Sequence, residues 1–359
     1  MKSWTAIPKW SAQVTDTKTA LTRQPQSNGH RVSQTQHRLR SELIIVAMDT
    51  SPVSGSSGDW GNVLRPIMFS GLRSVDVGDE PEVGLGSGYS LVKPNELILS
   101  ARQRSVMTGS EFLAAEDASR YLVYTPDVPP FPRQRPEEIK SLFHCGMLGL
   151  QILKPVPTLG LVFYGDHTPS GRFSLAGKIE RRPPMEAGPW ALDRPFDSEF
   201  LKAVPRMISG VQAIMGGPSA EKKNAIHLLQ LGLEHFHPLI SGLLWVMGLD
   251  AIFDSGGAAK FKKDLCAYLG CQTPVYPPWN AAQPTWTVGD IAGELYVMRN
   301  KLVHGVDLRK ATTDRKFPVD LVAKQSLLSS SDTAPMALLL SEAACYLLCQ
   351  VLQKEIGQP

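Results

Sequence analysis

The chain has 359 residues, enough for two or three domains and more than one globular core easily holds. Hydrophobic residues make up 43% and charged residues 20%, an ordinary balance for a soluble protein. A formal charge of +3 does not by itself announce a nucleic-acid partner.

Residues 1–40 carry seven Lys or Arg (Lys2, Lys9, Lys18, Arg23, Arg31, Arg38, Arg40) against a single acid, Asp16. This leader is rich in Ser, Thr and Gln and has no apolar run, so it lacks the h-region of a secretory signal. Its composition partly fits an organelle transit peptide, but the simpler expectation is a disordered basic arm.

From residue 41 to about 205, short apolar runs alternate with Gly, Pro and Ser clusters. Leu43–Met48, Tyr89–Val92, Glu96–Ser100, Tyr121–Tyr124 and Thr158–Tyr164 are strand-like, and Pro52–Trp60 and Val128–Arg135 carry turn or loop signals. Glu111–Ala118 and Pro136–Leu153, the latter opened by its proline, read as helices. A Pro-rich exit follows around Arg181–Pro195. These signals predict a β-rich or α+β domain over 41–205, of unknown role.

The texture then changes to long helical patterns. Ser219–Leu233 starts with a capping serine, Pro238–Phe253 has proline in its first turn, and Ala258–Leu269 is a short third helix. Thr287–Val303 opens with Thr287 and Asp290 at capping-box spacing, and Pro335–Ile356 is the fifth. The expected fold class is therefore α+β: a β-rich N-terminal domain followed by an all-α five-helix bundle over 219–356.

Two apolar stretches invite a membrane reading. Leu239–Phe253 is too short to span a bilayer and carries Asp250, while Pro335–Leu352 contains Ser341, Glu342 and Gln350. Both read as core helices, and no membrane partner is expected. The five cysteines form no CxxC pair, and no His/Cys cluster has zinc-ligand spacing. Reduced, mostly buried thiols in a cytoplasmic protein are the expectation, with no metal and no cofactor.

The fourth helix ends in Arg299-Asn300-Lys301-Leu302-Val303-His304-Gly305. Arg-Asn-x-x-x-His resembles the signature of catalytic HEPN domains, known from bacterial toxins, RNA-guided nucleases and eukaryotic stress ribonucleases. Glu294-Leu295-Tyr296-Val297-Met298 before the motif and Gly305 after it fit the resemblance. The second helix, Leu243-Leu244-Trp245-Val246-Met247-Gly248-Leu249-Asp250-Ala251-Ile252-Phe253, is similar to the corresponding helix of the Apea-like HEPN group. Asp250 stands where that group more often has Glu. The resemblance covers about residues 219–355.

It implies a metal-independent endoribonuclease that works as a homodimer on RNA, with paired motifs facing each other across a groove, in bacterial defence, as a toxin, or in stress. An unknown trigger would act through the N-terminal domain. Arg299 would hold and neutralise the phosphate, His304 would move protons, and Asn300 would orient His304 or a phosphate oxygen. Asp250, Lys301 and Gly305 would support them. Products would carry 2′,3′-cyclic phosphate ends.

The helix geometry gives independent reasons to look at these residues. Val288, Ile291, Ala292, Leu295 and Leu302 define an apolar stripe, and at about 100° per residue Arg299 falls about 20° from Val288. A cation on that stripe needs a partner or a task, and Asp250 is the intrachain partner at hand. His304 lies about 140° around the helix from Arg299, whereas Asn300 and His304 share a face. Arg299 and His304 converge only through a loosened last turn at Gly305 or through a second copy. Two readings stay open: a catalytic constellation, or a non-catalytic HEPN module for dimerisation or ligand binding. In the second, Arg299 and Asp250 form a structural bridge and His304 caps the helix.

Other patterns are weaker. Glu234-His235-Phe236-His237 sits at a helix junction without a third spaced ligand. Gly84-Leu85-Gly86-Ser87-Gly88 lacks the Lys-Ser/Thr of a phosphate-binding loop and reads as a flexible loop. No Asp-x-Asp follows Ser87, so nucleotidyl transfer is not expected. Asp166-His167 and His144-Cys145 have no third partner. The basic pairs Lys222-Lys223, Lys262-Lys263 and Arg309-Lys310 are either an RNA-facing lining or solvated faces.

Overall fold

A computed structural model describes residues 65–73, 75–94, 97–98, 104–105, 107–125, 136–167, 173–181, 196–275, 286–313, 317 and 336–357. All of them belong to one compact unit, 58–359. The basic leader, Leu43–Met48, Pro52–Trp60, Val128–Arg135 and all but the first residue of Arg181–Pro195 lie outside the described residues.

Helix and strand are mixed, with helices dominating: a sheet occupies the N-terminal part and helices the C-terminal region. The strands are β1 (Arg65–Leu72), β2 (Glu82–Gly86), β3 (Tyr89–Val92), β4 (Leu97–Ile98), β5 (Arg120–Tyr124), β6 (Thr158–His167) and β7 (Phe173–Arg181). They form a seven-stranded sheet in the order β2-β3-β5-β1-β6-β7-β4, antiparallel except where β4 runs parallel to β7 at the edge. β1 sits at the centre, pairing Phe69 with Val123 on one side and with Phe163 on the other.

The glycine-rich segment Gly84–Gly88 is not a flexible loop. Gly84-Leu85-Gly86 ends β2, and Ser87-Gly88 is the two-residue turn into β3, with Gly86 paired to Tyr89. Ser87 and Gly88 both have positive φ, 51° and 81°, as a hairpin turn matched to the strand twist requires. A side chain at Gly88 would also strike the Thr125 carbonyl, which lies 2.1 Å from the position of its Cβ. The glycines therefore serve backbone geometry.

The helices of the N-terminal part are α1 (Gly109–Glu116), closed by a Thr108/Glu111 capping box, and α2 (Pro136–Leu153). After the sheet come α3 (Ser198–Leu201), α4 (Val204–Gly216), α5 (Ala220–Leu233), α6 (Pro238–Phe253), α7 (Ala258–Leu269), α8 (Val288–Val303), α9 (Leu308–Thr313) and α10 (Met336–Gly357). A short ribbon of β8 (Pro274–Val275) and β9 (Trp286–Thr287) leads into α8. The sequence patterns do not mark β1, β2, β7, α3, α4, the β8–β9 ribbon or the short α9. Gly210 inside α4 is explained by packing, because a Cβ there would meet Ile356 of α10 at 2.1 Å.

α2 joins the sheet to the helices. Gly146 admits the Tyr89 ring from β3, and three residues on Gly149 admits Ile208 from α4. At its C-terminal end Gln353 of α10 donates to the Ile152 carbonyl at 2.7 Å and the Leu153 carbonyl at 3.3 Å, which helix termination leaves free. The Cys349 thiol, also on α10, donates to the Gln151 carbonyl at 3.7 Å. The buried Gln151 amide is satisfied at both ends by the Val156 backbone, as a polar group in a core must be.

The helical core is apolar and closely packed. Ile226, Leu229, Val246, Leu249, Ile291, Leu295, Leu340 and Leu348 are fully buried, each contributing about 1.5–3 kcal/mol by removal from water. α10 is long and apolar enough by length and composition to cross a membrane, yet most of it is buried against the other helices. α6, the other apolar stretch, likewise buries Leu239, Val246 and Leu249.

Candidate functional site

Helix α8 carries the Arg-Asn-x-x-x-His segment, and both of its ends are fixed by local chemistry. At the start, Thr287 Oγ1 accepts from the Asp290 N–H at 3.3 Å while Asp290 Oδ2 accepts from the Thr287 N–H at 2.8 Å. At the end, Gly305 takes the left-handed conformation, φ 89°. The Gly305 N–H donates to the Leu302 carbonyl and the Val306 N–H to the Lys301 carbonyl, both at 3.3 Å. That pair of bonds is a Schellman motif, and it makes His304 the C-cap residue.

The stripe Val288, Ile291, Ala292, Leu295 and Leu302 is buried. Arg299 follows it only to the rim of the core, where its side chain keeps 28% of its exposure. Its guanidinium sits 5.2 Å above the Tyr296 ring. Nη1 donates to Asn300 Oδ1 at 2.8 Å, and Nη2 lies 3.7 Å from Asp250 Oδ2 on α6. Nε is buried and has no hydrogen-bond partner among the described residues.

Asp250 is held from its other side. Its Oδ1 accepts from the Ser255 N–H at 3.3 Å, just past the point where α6 ends at Asp254 in a left-handed turn, φ 45°. Lys260 covers the Asp254 carbonyl at 2.6 Å. The carboxylate thus joins the end of α6 to the last turn of α8.

Arg299 and Asp250 line an open cleft of about 620 Å³. Helix α5 supplies Glu221, Asn224, His227, Leu228 and Leu231, and α6 supplies Met247, Asp250, Ala251 and Asp254. On each helix these positions recur three and four apart, so each presents one stripe to the cleft. Leu231 and Met247 are exposed apolar side chains there. Three carboxylates against one arginine make the lining acidic apart from the guanidinium.

His304 is exposed and is not among the residues lining this cleft. The structure thus brings together Arg299, Asn300 and Asp250, and sets His304 and Gly305 on the outer end of α8, with Lys301 exposed on the same last turn. Sequence reading missed Tyr296, although its spacing of three from Arg299 was a usable signal. It also missed the α5 stripe, whose Glu221, Asn224, His227 and Leu228 spacing is that of one helix face.

The remaining candidates are placed as follows. His235 Nδ1 accepts from the His237 N–H at 3.0 Å, and no group of three metal-binding side chains occurs among the described residues. Lys222 is paired with Glu355 of α10 at 2.6 Å, which directs it toward the bundle. Lys263, Arg309 and Lys310 are exposed, Lys223 and Lys262 half-buried, Cys145 is buried in the core, and Asp166 and His167 pair with β1.

Searches of protein-family models, curated proteins and solved structures return no match to this chain.

Proposed function

We propose that the helical region is an Apea-like HEPN domain acting as a metal-independent endoribonuclease, and that it works as a homodimer. One observation carries the reading: the last turn of α8 presents Arg299 and Asn300 joined at 2.8 Å, and one turn later a solvent-exposed His304 on a Schellman cap. A histidine that served only to fill a core would not stand in water at the end of that turn. In this reading Arg299 neutralises the scissile phosphate and His304 exchanges protons with the sugar oxygens. The 2′-oxygen bonds to phosphorus, the bond to the 5′-oxygen breaks, and the leaving oxygen takes up a proton. The products are a 2′,3′-cyclic phosphate and a 5′-hydroxyl. Because His304 lies outside the cleft that Arg299 faces, two copies are needed to bring the groups to one phosphate.

A second reading rests on the partners of Arg299. Asp250, Asn300 and the Tyr296 ring already hold the guanidinium, as they would in a non-catalytic HEPN module where Arg299 ties α6 to α8.

RNA cleavage in EDTA by the purified protein beside His304→Ala, with mass measured by light scattering, tests the proposal. Cleavage by a dimer, lost in the variant and leaving cyclic-phosphate ends, supports it. A folded dimer that cleaves none of a varied set of RNAs favours the second reading, and a monomer that cleaves removes the need for paired motifs.

A further inference from the structure

Helices α5 and α6 form an antiparallel hairpin. Trp245 Nε1 donates to the Leu229 carbonyl at 3.2 Å, and a Cβ at Gly248 would lie 3.5 Å from the Ala225 carbonyl, so numbers rise along one helix as they fall along the other. Continued along the pair, Leu231 comes level with Leu244, Leu228 with Met247, and Glu221 with Asp254. Five large apolar side chains are exposed among the described residues, and three of them stand on this hairpin. They are Leu231 at 52%, Met247 at 37%, and Phe236, on the link between the helices, at 69%. Half-buried Leu228, and Leu244 three residues before Met247, belong to the same face.

The face changes character along its length. The Phe236 end is apolar, and the other end carries Glu221, Asp250 and Asp254. The cations nearby are engaged: Arg299 with Asp250 and Asn300, Lys222 with Glu355, and Lys260 with the Asp254 carbonyl. Glu221 accepts from the Ser219 hydroxyl at 2.9 Å, and neither it nor Asp254 makes an ion pair among the described residues.

The geometry points to this face as the docking site of a basic amphipathic helix from a partner protein. The occupant is a helix because the groove between two packed helices accepts the side-chain ridges of a third, whereas an extended segment would find no sheet edge for its backbone N–H and C=O groups. It is apolar on one side because Leu231, Phe236 and Met247 gain by leaving water. It is basic toward one end because two carboxylates without an ion pair wait there, and Lys or Arg opposite them completes the pairs. The same carboxylates repel an anionic lipid surface or an acidic segment. From Glu221 to Leu231 the face runs about 15 Å, so about ten residues of the occupant lie on it.

A second copy of this face does not suit it. Two-fold pairing sets the Glu221–Asp254 end against either itself or the apolar end, and the carboxylates go unmatched in both. The face stands whether or not the helical region cleaves RNA.

The probe is a fluorescein-labelled synthetic peptide of about fourteen residues, with Leu at the i, i+3, i+4 and i+7 spacing of one helix face and Lys elsewhere. Its counterpart has Glu in place of every Lys. Binding to the full chain is followed by fluorescence anisotropy, after each variant is checked for an unchanged melting temperature. The Lys peptide is expected to bind the wild type and the Glu peptide is not. Leu231→Lys and Met247→Lys should each weaken binding about tenfold or more, while Leu113→Lys, at an exposed apolar residue of α1, leaves it unchanged. Glu221→Lys combined with Asp254→Lys should exchange the preference, so that the Glu peptide binds. That pair is at the surface and decides the matter if an apolar variant misfolds. Any of three results overturns the assignment: no binding of the Lys peptide, equal affinity for the two peptides, or no exchange of preference in the charge-reversed pair. A wild-type dimer dissociated by Met247→Lys, with neither peptide bound, gives the face to a second copy and overturns it as well.

Discussion

Arg299 on α8 and Asp250 on α6 face each other with Nη2 3.7 Å from Oδ2, at the mouth of the cleft between α5 and α6. Each is fixed by a second group, Arg299 by Asn300 and Asp250 by the Ser255 N–H. Partners held in this way do not have to be ordered by the ion pair itself, so less side-chain entropy opposes it than in a typical surface pair.

Asp250→Ala is expected to lower stability by about 1–2 kcal/mol, between the values for exposed and fully buried pairs, because both side chains keep part of their exposure. Arg299→Ala loses the Tyr296 contact as well, so it is expected to cost slightly more. A double-mutant cycle in urea gives the coupling. Additive losses would mean that the pair contributes nothing to the joining of α6 and α8.

Gly305→Ala tests the cap alone. Nothing lies within 4 Å of the Cβ that alanine would add, so any loss comes from its positive φ. The expected cost is about 1 kcal/mol, with faster amide exchange confined to the last turn of α8. Cleavage should fall with it if His304 must be held at that cap. Unchanged exchange at Gly305 and Val306 would count against the Schellman bonds.

Gly232→Ala should be among the most damaging small substitutions in the bundle. Its Cβ would come 2.2 Å from Trp245 Nε1, and that indole donates to the Leu229 carbonyl at 3.2 Å. Either the α5–α6 pair separates or the indole loses its acceptor, at a cost of about 1–3 kcal/mol. A variant that melts with the wild type would show that Trp245 has room to turn.

Glu355 gives a pH signature. Burial alone would raise its carboxyl, but hydrogen bonds from Lys222 and Tyr268 and the nearby charges of Lys222 and Lys354 outweigh it and hold the group below the usual range. A carboxyl lowered in the folded state adds stability above its unfolded value, about 4.3, and that stability is lost as pH falls through the folded value. Wild type should therefore lose its advantage over Glu355→Gln below about pH 4.3. Parallel stability curves from pH 7 to 3, on the order of that whole range, would show that the Lys222 pair is silent.

How much of this was legible beforehand depended on local punctuation. Pro136, Ser219, Pro238, Thr287 and Gly305 mark helix ends through their own backbone chemistry, and the helices they bound stand where those residues put them. α4 was hidden because Pro205 reads as a break and Gly210 as a weak helix former, while the reason for Gly210 is Ile356, about 150 residues away in sequence. β1 and β7 were hidden because neither alternates cleanly and each carries residues that read as breaks, Pro66 and Gly71 in β1 and Gly177 in β7. The Asp250–Arg299 pair was within reach of helix geometry alone. The cleft was not, since it exists only where a stripe of α5 meets a stripe of α6.

The way Gln353 and Cys349 grip the end of α2 has a consequence for how the polypeptide can be divided. α2 belongs to the part before β7, whereas Ile208, Cys349 and Gln353 belong to the part after it, and the apolar surfaces between them are buried. The chain is therefore separable along its sequence without being separable in space. Two polypeptides meeting between β7 and α3, made together in one cell, carry matching surfaces and should assemble as a non-covalent pair that purifies through a tag on either piece.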